Sequence, residues 1–471
     1  GDAPKNIVIS NSTISNTAGD CDISLQTAVP SNASLYTLTL TNIDWGTDGM
    51  KLCGLDGATI INNTVHNVTQ DTWYSTIQGA IDAAADGNLI EVGPGTYDEA
   101  ITINKPNLTI RSTAGAASTI IDVPDGTLTT GVKFLGTDLG VLTFDGFTVK
   151  DFTEGGIIQG MGSATGTTVH VLNNVVIPAA DYLRNGIQVS GNGSTVIGNT
   201  VTGAHLTADW GGTSINVVNA SNVVVRGNTI NGSTDAAIAV LNYDVAFVSN
   251  VLIEDNVILG SDVAISLQGG PDATGKIVRN ITITGNDFGT SGEGIDIAYV
   301  TLSGANVFEK NDFSETPMYI GIFAAGYPTW GYPGANVTGT IDASPNWYGT
   351  ALGPDLANFY DDQAGDSFAF DDPADFTYKT WCANAACTEF LPGAVSIAQV
   401  APVVCGVTPT TTIDINVAGI PASIVAQGYQ LTLHFDPAKT SIASAADIVQ
   451  GGFLPEGTGF QIVNIDNTAG T

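Results

Sequence analysis

The sequence predicts an all-β chain: a right-handed parallel β-helix of three strands per coil, with a short capping helix, followed by a partial β-sandwich. Three observations carry this. The first is a recurring phrase, an Asn followed by β-formers: Asn174-Val-Val-Ile, Asn199-Thr-Val-Thr-Gly, Asn228-Thr-Ile-Asn-Gly, Asn256-Val-Ile-Leu-Gly, Asn286-Asp-Phe-Gly and Asn311-Asp-Phe-Ser, at intervals of 25, 29, 28, 30 and 25 residues. The second is a small residue followed by Ile-x-aliphatic, in step with the first: Gly186-Ile187-Gln188-Val189, Ser214-Ile215-Asn216-Val217, Ala237-Ile238-Ala239-Val240, Ala264-Ile265-Ser266-Leu267 and Gly294-Ile295-Asp296-Ile297. The third is composition: 56 Gly, 43% hydrophobic residues and only 13% charged ones, as many short turns and thin strands require.

Each period holds short alternating strands such as Asn222-Val223-Val224-Val225-Arg226, with turns of Gly, Asn, Asp and Ser between them. One period cannot bury its apolar face alone, whereas stacked periods enclose a continuous cylinder. The recurring Asn is expected at a fixed turn, taking the left-handed backbone conformation and bonding its amide from coil to coil. Residues 101–350 are assigned to this β-helix.

Residues 71–100 carry a different signal. In Thr72-Trp73-Tyr74-Ser75-Thr76-Ile77-Gln78-Gly79-Ala80-Ile81-Asp82-Ala83-Ala84, the residues Ile77, Ile81 and Ala84 share one helical face, and the helix is expected to stop near Gly87. Gly93-Pro94-Gly95-Thr96-Tyr97 and the strand Asn107-Leu108-Thr109-Ile110 follow. These residues resemble the opening of the pectin-lyase-like β-helix proteins, and Asn346-Trp347-Tyr348-Gly349 resembles the phrase that closes many of them. The resemblance covers roughly residues 71–390 and implies that the helix caps one end of the cylinder. Both motifs mark the fold and carry no catalytic content.

Residues 1–70 already look like coils: Asn6-Ile7-Val8-Ile9, Leu35-Tyr36-Thr37-Leu38-Thr39-Leu40 and Ala58-Thr59-Ile60-Ile61, with Asn11, Asn42 and Asn63 as turn candidates. Two arrangements remain open. Either these coils belong to a tandem array or receive another subunit, or they stack under the main helix with residues 71–95 folded aside. At the other end, residues 351–395 form an acidic, loop-rich closing segment, and from residue 396 the repeat is gone. Gly428-Tyr429-Gln430-Leu431-Thr432-Leu433-His434-Phe435-Asp436-Pro437 resembles a strand of the cohesin-like β-sandwich family, so residues 396–471 read as part of such a sandwich, completed by strands from elsewhere.

The charge balance excludes several partners. With 13 Lys+Arg against 46 Asp+Glu, net −33, the chain has no cationic footprint for nucleic acid and none for anionic lipid. No apolar run is long enough for direct membrane insertion. Five cysteines suggest an oxidising, extracellular or cell-surface setting: Cys21 and Cys53 can meet on neighbouring coils, Cys382 and Cys387 lie close in sequence, and Cys405 is left over. Ten Asn-x-Ser/Thr sequons, Asn62, Asn219, Asn231 and Asn280 among them, arise from an Asn/Thr-rich composition.

Candidate chemistry is sparse. The resemblance implies Asn-Thr-Asp, Asp-Asp, Gly-His-Gly and Arg-Ile-Lys phrases, in that chain order, for a polygalacturonase-like hydrolase; the series is absent, and the Asp-Asp pairs at Asp361-Asp362 and Asp371-Asp372 fall after the last expected coil, too late for that role. Arg184, Arg226 and Arg279 fall in successive or nearly successive coils and are candidates for a lyase base, although each can equally cap a strand or pair with a local acid. Two adjacent coils are lengthened at one turn, bringing Tyr182, Arg184, His205, Asp209 and Trp210 into one candidate cleft, with His205 and Asp209 spaced for acid–base work. The alternative is a polar loop packing its Trp on the coil below. Tyr327, Trp330 and Tyr332 form a second aromatic loop suited to stacking sugar rings or to self-association. Asp361, Asp362, Asp366, Asp371 and Asp372 give a candidate Ca²⁺ site without EF-hand spacing; a solvated acidic loop explains them too. The expected function is therefore an extracellular structural or adhesive β-helix protein that assembles with copies of itself, in a fibre or surface layer, with calcium screening its charge. The alternatives are a polysaccharide lyase or glycosidase acting on acidic glycans, and a non-catalytic carbohydrate binder.

Overall fold

The computed structural model describes residues 5–13, 23–24, 36–44, 52–53, 59–126, 129–179, 185–204, 212–270, 275–323, 333–361, 375–378, 380–391, 394–399 and 413–418. Three parallel sheets form the walls of a β-helix. A ten-stranded sheet runs from Ile101–Ile103 to Phe359–Asp361. A thirteen-stranded sheet ends at Phe376–Thr377, and a seven-stranded sheet runs from Gly95–Asp98 to Val257–Ile258. The last continues as single bridges through Asp287, Asp312 and Trp347. The later coils differ from the expected three strands. Phe247–Ser249, Ile277–Arg279, Thr301–Ser303 and Asn336–Val337 add a fourth, four-stranded sheet. The ladders also run past residue 350, through Phe359–Asp361 and Phe376–Thr377.

Strict alternation explains the strands. Thr167–Leu172 buries every second residue, and Val169 and Val171 enter one continuous core that runs from Val65 to Phe376. Two residues after each recurring Asn lies a core side chain: Val176, Val201, Ile230, Ile258, Phe288, Phe313 and Tyr348. Near the closing end these become aromatic, with Phe313 and Tyr348 stacked at 5.5 Å and Phe359 edge-on to Phe376 at 5.2 Å.

The recurring asparagines form a buried ladder. Asn174, Asn199, Asn228, Asn256, Asn286 and Asn311 each donate Nδ2–H to Oδ1 of the next, and Asn311 donates to Asn346, at 2.9–3.1 Å. Each backbone N–H in that series also donates to the next Oδ1, and Nδ2 reaches back to a carbonyl of the preceding coil, as Asn228 does to Val196. Left-handed backbone occurs one position earlier than expected, at Asn173, Gly198, Gly227, Asp255, Gly285 and Lys310, with φ of 51–69°. The turn residue swings the chain, so the following Asn points its amide inward to bond.

The cap is integral to the cylinder. The helix Ile77–Ala83 ends earlier than Gly87, and Ile77, Ala80 and Ile81 are part of the core, so this segment is not folded aside. Thr76 Oγ1 accepts from Gly79 N, and the Glu99 carboxylate accepts from Ile77 N at 2.7 Å and Gln78 N at 2.9 Å, satisfying the first-turn donors. Val65–Asn67 pairs antiparallel with both Thr72–Tyr74 and Leu89–Val92, which ends the parallel ladder there. Before it, Lys5–Thr13, Tyr36–Asp44 and Thr59–Asn63 form a parallel three-stranded sheet of their own. Beyond the helix, Ala394–Gln399 and Ile413–Ala418 pair antiparallel, and the remaining strands of the expected sandwich lie outside the described residues.

Candidate functional site

The corner between the seven- and ten-stranded sheets gathers the polar chemistry. Val175–Pro178 and Thr200–Ala204 are neighbours in one sheet, with Val175 opposite Thr200. The strands they lead to, Asn185–Val189 and Thr213–Val218, are neighbours in the other, with Asn185 opposite Thr213. The two lengthened connections therefore leave and rejoin the scaffold on adjacent coils. Tyr182, Arg184, His205, Asp209 and Trp210 themselves lie outside the described residues. At the root of both connections is a shallow hollow of about 380 Å³ between Ile177, Pro178, Ala179, Thr202, Gly203, Asn231 and Gly232.

The next three coils bring carboxylates to the same corner. Asp235 and Asp262 each immediately precede a strand of the ten-stranded sheet, and Glu293 begins one. Backbone bonds stack them: Val263 N donates to Asp235 O and Glu293 N to Asp262 O, at 3.0 and 2.9 Å. Asp262 is exposed, whereas Asp235 and Glu293 are half-buried. Burial raises the pKa of Asp235, against the Thr213 hydroxyl that donates to it at 3.3 Å, and the Asp262 charge adds to the rise. Glu293 is raised by burial and then by Asp262.

Behind this rim runs a column on the outer face of the ten-stranded sheet, where Gln188, Asn216, Ala239, Ser266 and Asp296 are opposed strand by strand. Asn216 is 4% exposed, Ser266 0% and Asp296 6%. Burial holds the Asp296 carboxyl well above the usual range, and Glu293 and Asp235 push it further; Ser266 and Gln268 approach and oppose the rise. Among the described residues, Asn216 Oδ1, Ser266 Oγ and Asp296 Oδ1 nevertheless complete no hydrogen bond. Beside them Val218, Ala236, Ala239 and Leu241 form a small apolar cluster, with Tyr243 and Val263 against it. The rim carboxyls reach the surface, whereas the column behind them is closed to solvent.

The other sequence candidates are scattered. Arg226 and Arg279 stand on different sheets: Arg226 Nε donates to Glu254 at 2.6 Å on the thirteen-stranded sheet, and Arg279 lies 3.9 Å over the Phe247 ring on the four-stranded sheet. They do not converge on one site, because equal spacing along a coil does not select a sheet. Asp361 ends a strand, opposite Ile322, rather than lying in a loop. Asp362, Asp366, Asp371, Asp372, Tyr327, Trp330 and Tyr332 fall outside the described residues. Among the described residues no three His, Cys, Asp or Glu side chains are arranged to hold a metal ion. Cys382 and Cys387 are disulfide-bonded. Cys53 sits on Leu52–Cys53, paired with Ile23–Ser24, while Cys21 and Cys405 lie outside the description. Asp235, Glu293 and Asp296 went unrecognised in the sequence; the available signal was the variable position of the Ile-x-aliphatic phrase, where Asp296 stands.

Among the described residues no helix is long and apolar enough to cross a membrane. No curated protein matches the sequence. Among solved structures, ORF18 of Geobacillus virus E2 is similar at 15% identity and a TM-score of 0.32, over 66% of this chain and 58% of that one. PfbA, a surface adhesin of Streptococcus pneumoniae, is similar at 15% identity and a TM-score of 0.28, over 76% of this chain and 96% of that one. Residues 131–329 match the family model described as a right handed beta helix region, which gives the hand of the parallel coils in that part of the chain.

Proposed function

We propose that this chain is an extracellular, adhesive β-helix protein that holds polysaccharide at the corner between its seven- and ten-stranded sheets. The observation that carries this is the register of the flanking strands: Val175 stands opposite Thr200 and Asn185 opposite Thr213, so the connections between those strands start and end on adjacent coils. Those segments supply Tyr182 and Trp210, whose rings suit the apolar C–H faces of sugars. A stiff stacked scaffold with variable connections is a common way to build such a surface. Retention on immobilised polysaccharides tests the proposal. Wild-type protein is expected to bind and the Y182A/W210A double variant to elute with the void, with no reducing ends or unsaturated products released. Equal retention of both proteins would overturn it.

Glycoside hydrolysis is the second reading, favoured by the raised carboxyl of Asp296 beside Glu293 and Asp235. A reducing-sugar assay that rises with wild-type protein and not with D296N would select it. Self-association with calcium bound at Asp361, Asp362, Asp366, Asp371 and Asp372 belongs to the same proposal, since a net charge of −33 opposes assembly without cations.

A further inference from the structure

We infer that the four-stranded wall of one copy docks side by side on the seven-stranded wall of a second copy, with Arg279 of the first against Asp287 and Asp312 of the second. This rests on the self-association proposed above and names the surfaces for it.

Three observations lead there. The first is a cation without a carboxylate. Of the four arginines in the chain, Arg111 and Arg226 are paired with Glu91 and Glu254. Arg279 has no acidic partner among the described residues. Its guanidinium is held 3.9 Å over the Phe247 ring. Only its Nε is both buried and unbonded, so the Nη groups face solvent with their donors free. In a chain of net −33, an open guanidinium fork is a ready seat for a carboxylate from outside.

The second is reach. Val248, Val278 and Leu302 enter the core, so strict alternation turns Phe247, Ile277, Arg279 and Thr301 outward. Phe247 is 43% exposed, and the other three are half-buried. The four strands of this wall carry no Asp or Glu of their own.

The third is the opposite wall. Around each later coil the chain meets the seven-, ten-, four- and thirteen-stranded sheets in that order, so the four- and seven-stranded walls look away from each other. On the seven-stranded side Val257, Asp287 and Asp312 stack in bridges. Val257 is 38% exposed and Leu259, two residues on, 56%. Asp287 is exposed and Asp312 half-buried. Each spends Oδ1 on a backbone N–H, of Gly289 and Ser314, and neither has a described Lys or Arg in an ion pair. Phe247 and Val257, Arg279 and Asp287, and Thr301 and Asp312 are each half a coil apart, about 2.4 Å along the axis. Copies set side by side with parallel axes therefore meet apolar against apolar and cation against carboxylate at matching heights. The contact joins two different walls, so it repeats from copy to copy as an open row. Its footprint, about 14 Å along the axis by about 10 Å across, is far below the roughly 800 Å² per partner of a stable complex. The row is accordingly a concentrated-state assembly, weak between two isolated copies.

Sedimentation velocity of the full chain at rising concentration, in a chelator to remove calcium-dependent contacts, tests the inference. The weight-average mass of wild-type protein is expected to climb above the monomer value, and R279E and D287R alone are expected to stay monomeric. Their equimolar mixture is expected to regain the wild-type climb, because each variant supplies the charge that the other lacks. R279Q, which removes the charge without reversing it, is expected to weaken association at least threefold with unchanged thermal unfolding. Wild-type protein that stays monomeric throughout, R279Q that associates as wild type does, or a mixture no more associated than its components would overturn the lateral contact. Calcium-dependent end-to-end assembly and retention on polysaccharide would then still stand, since they are read separately. Loss of the end-to-end assemblies as well would overturn self-association itself.

Discussion

Replacing one rung of the buried asparagine ladder should cost far more than replacing an exposed asparagine of the same fold. Asn256 Oδ1 accepts from Asn228 N at 3.0 Å and Asn228 Nδ2 at 2.9 Å. Its Nδ2 donates to Val225 O at 3.0 Å and Asn286 Oδ1 at 2.9 Å. In N256A all four bonds go. Asn286 Oδ1 keeps the backbone N–H of residue 256, and Asn228 Nδ2 keeps its bond to Val196 O, so the orphans are the Asn228 backbone N–H and one amide hydrogen. Each buried, unpaired donor costs about 1–3 kcal/mol, so the expected loss is about 2–6 kcal/mol. Asn250 is the control. It is exposed, bonds Asn222 and Asn280 among the described side chains, and holds φ at 58°, so N250A loses chiefly the left-handed preference of Asn, about 1–2 kcal/mol. Because a solenoid opens coil by coil, native-state hydrogen exchange over residues 196–230 is the assay, with denaturant midpoints alongside. Loss of protection at Asn228 in N256A but not in N250A is expected. An N256A variant no less protected than N250A would refute the ladder as a source of stability.

Four further outcomes follow from the same geometry. G294A should destabilise by about 1–3 kcal/mol in thermal melts, because its Cβ would lie 2.6 Å from the Tyr319 carbonyl oxygen and 2.5 Å from the Phe313 ring. E99A should cost about 1–2 kcal/mol and expose the cap to proteolysis, since the carboxylate satisfies two first-turn N–H groups of the capping helix. Asp296 is raised in the folded state, so the unfolded chain loses its proton first. The stabilising contribution of Asp296 should thus be fully present below the ordinary carboxylate range and be lost as pH rises through the folded-state value. D296N should flatten that fall in melts followed from acid to neutral pH, with a residual slope from Asp235 and Glu293, which carry the same sign. Electron micrographs with calcium should show end-to-end assemblies that chelation dissolves; filaments surviving prolonged chelation would remove calcium from the account.

Much of the scaffold was legible because its signals are periodic. The ladder asparagines recur at nearly constant spacing, and each demands the same environment in every coil. The left-handed position was not assigned to its true place because it varies in chemistry, from Gly198 and Gly227 to Asp255 and Lys310, one residue before each rung. The fourth sheet escaped notice for a related reason: Phe247–Ser249 and Ile277–Arg279 are three-residue strands whose alternation is too short to stand out. The site was the least legible part. Its floor occupies the one position of the Ile-x-aliphatic phrase that the core leaves free, so Gln188, Asn216, Ala239, Ser266 and Asp296 share no residue type. Only register across coils makes them a column. Arg226 and Arg279 show the opposite, since similar sequence spacing concealed that they stand on different walls.

The most direct measurement is a crystal structure of the chain soaked with an oligosaccharide of the polysaccharide that retains it most strongly. The account predicts sugar density at the corner between the seven- and ten-stranded sheets, beside the hollow of Ile177, Pro178, Thr202 and Asn231. Sugar bound only on another wall of the β-helix would contradict it.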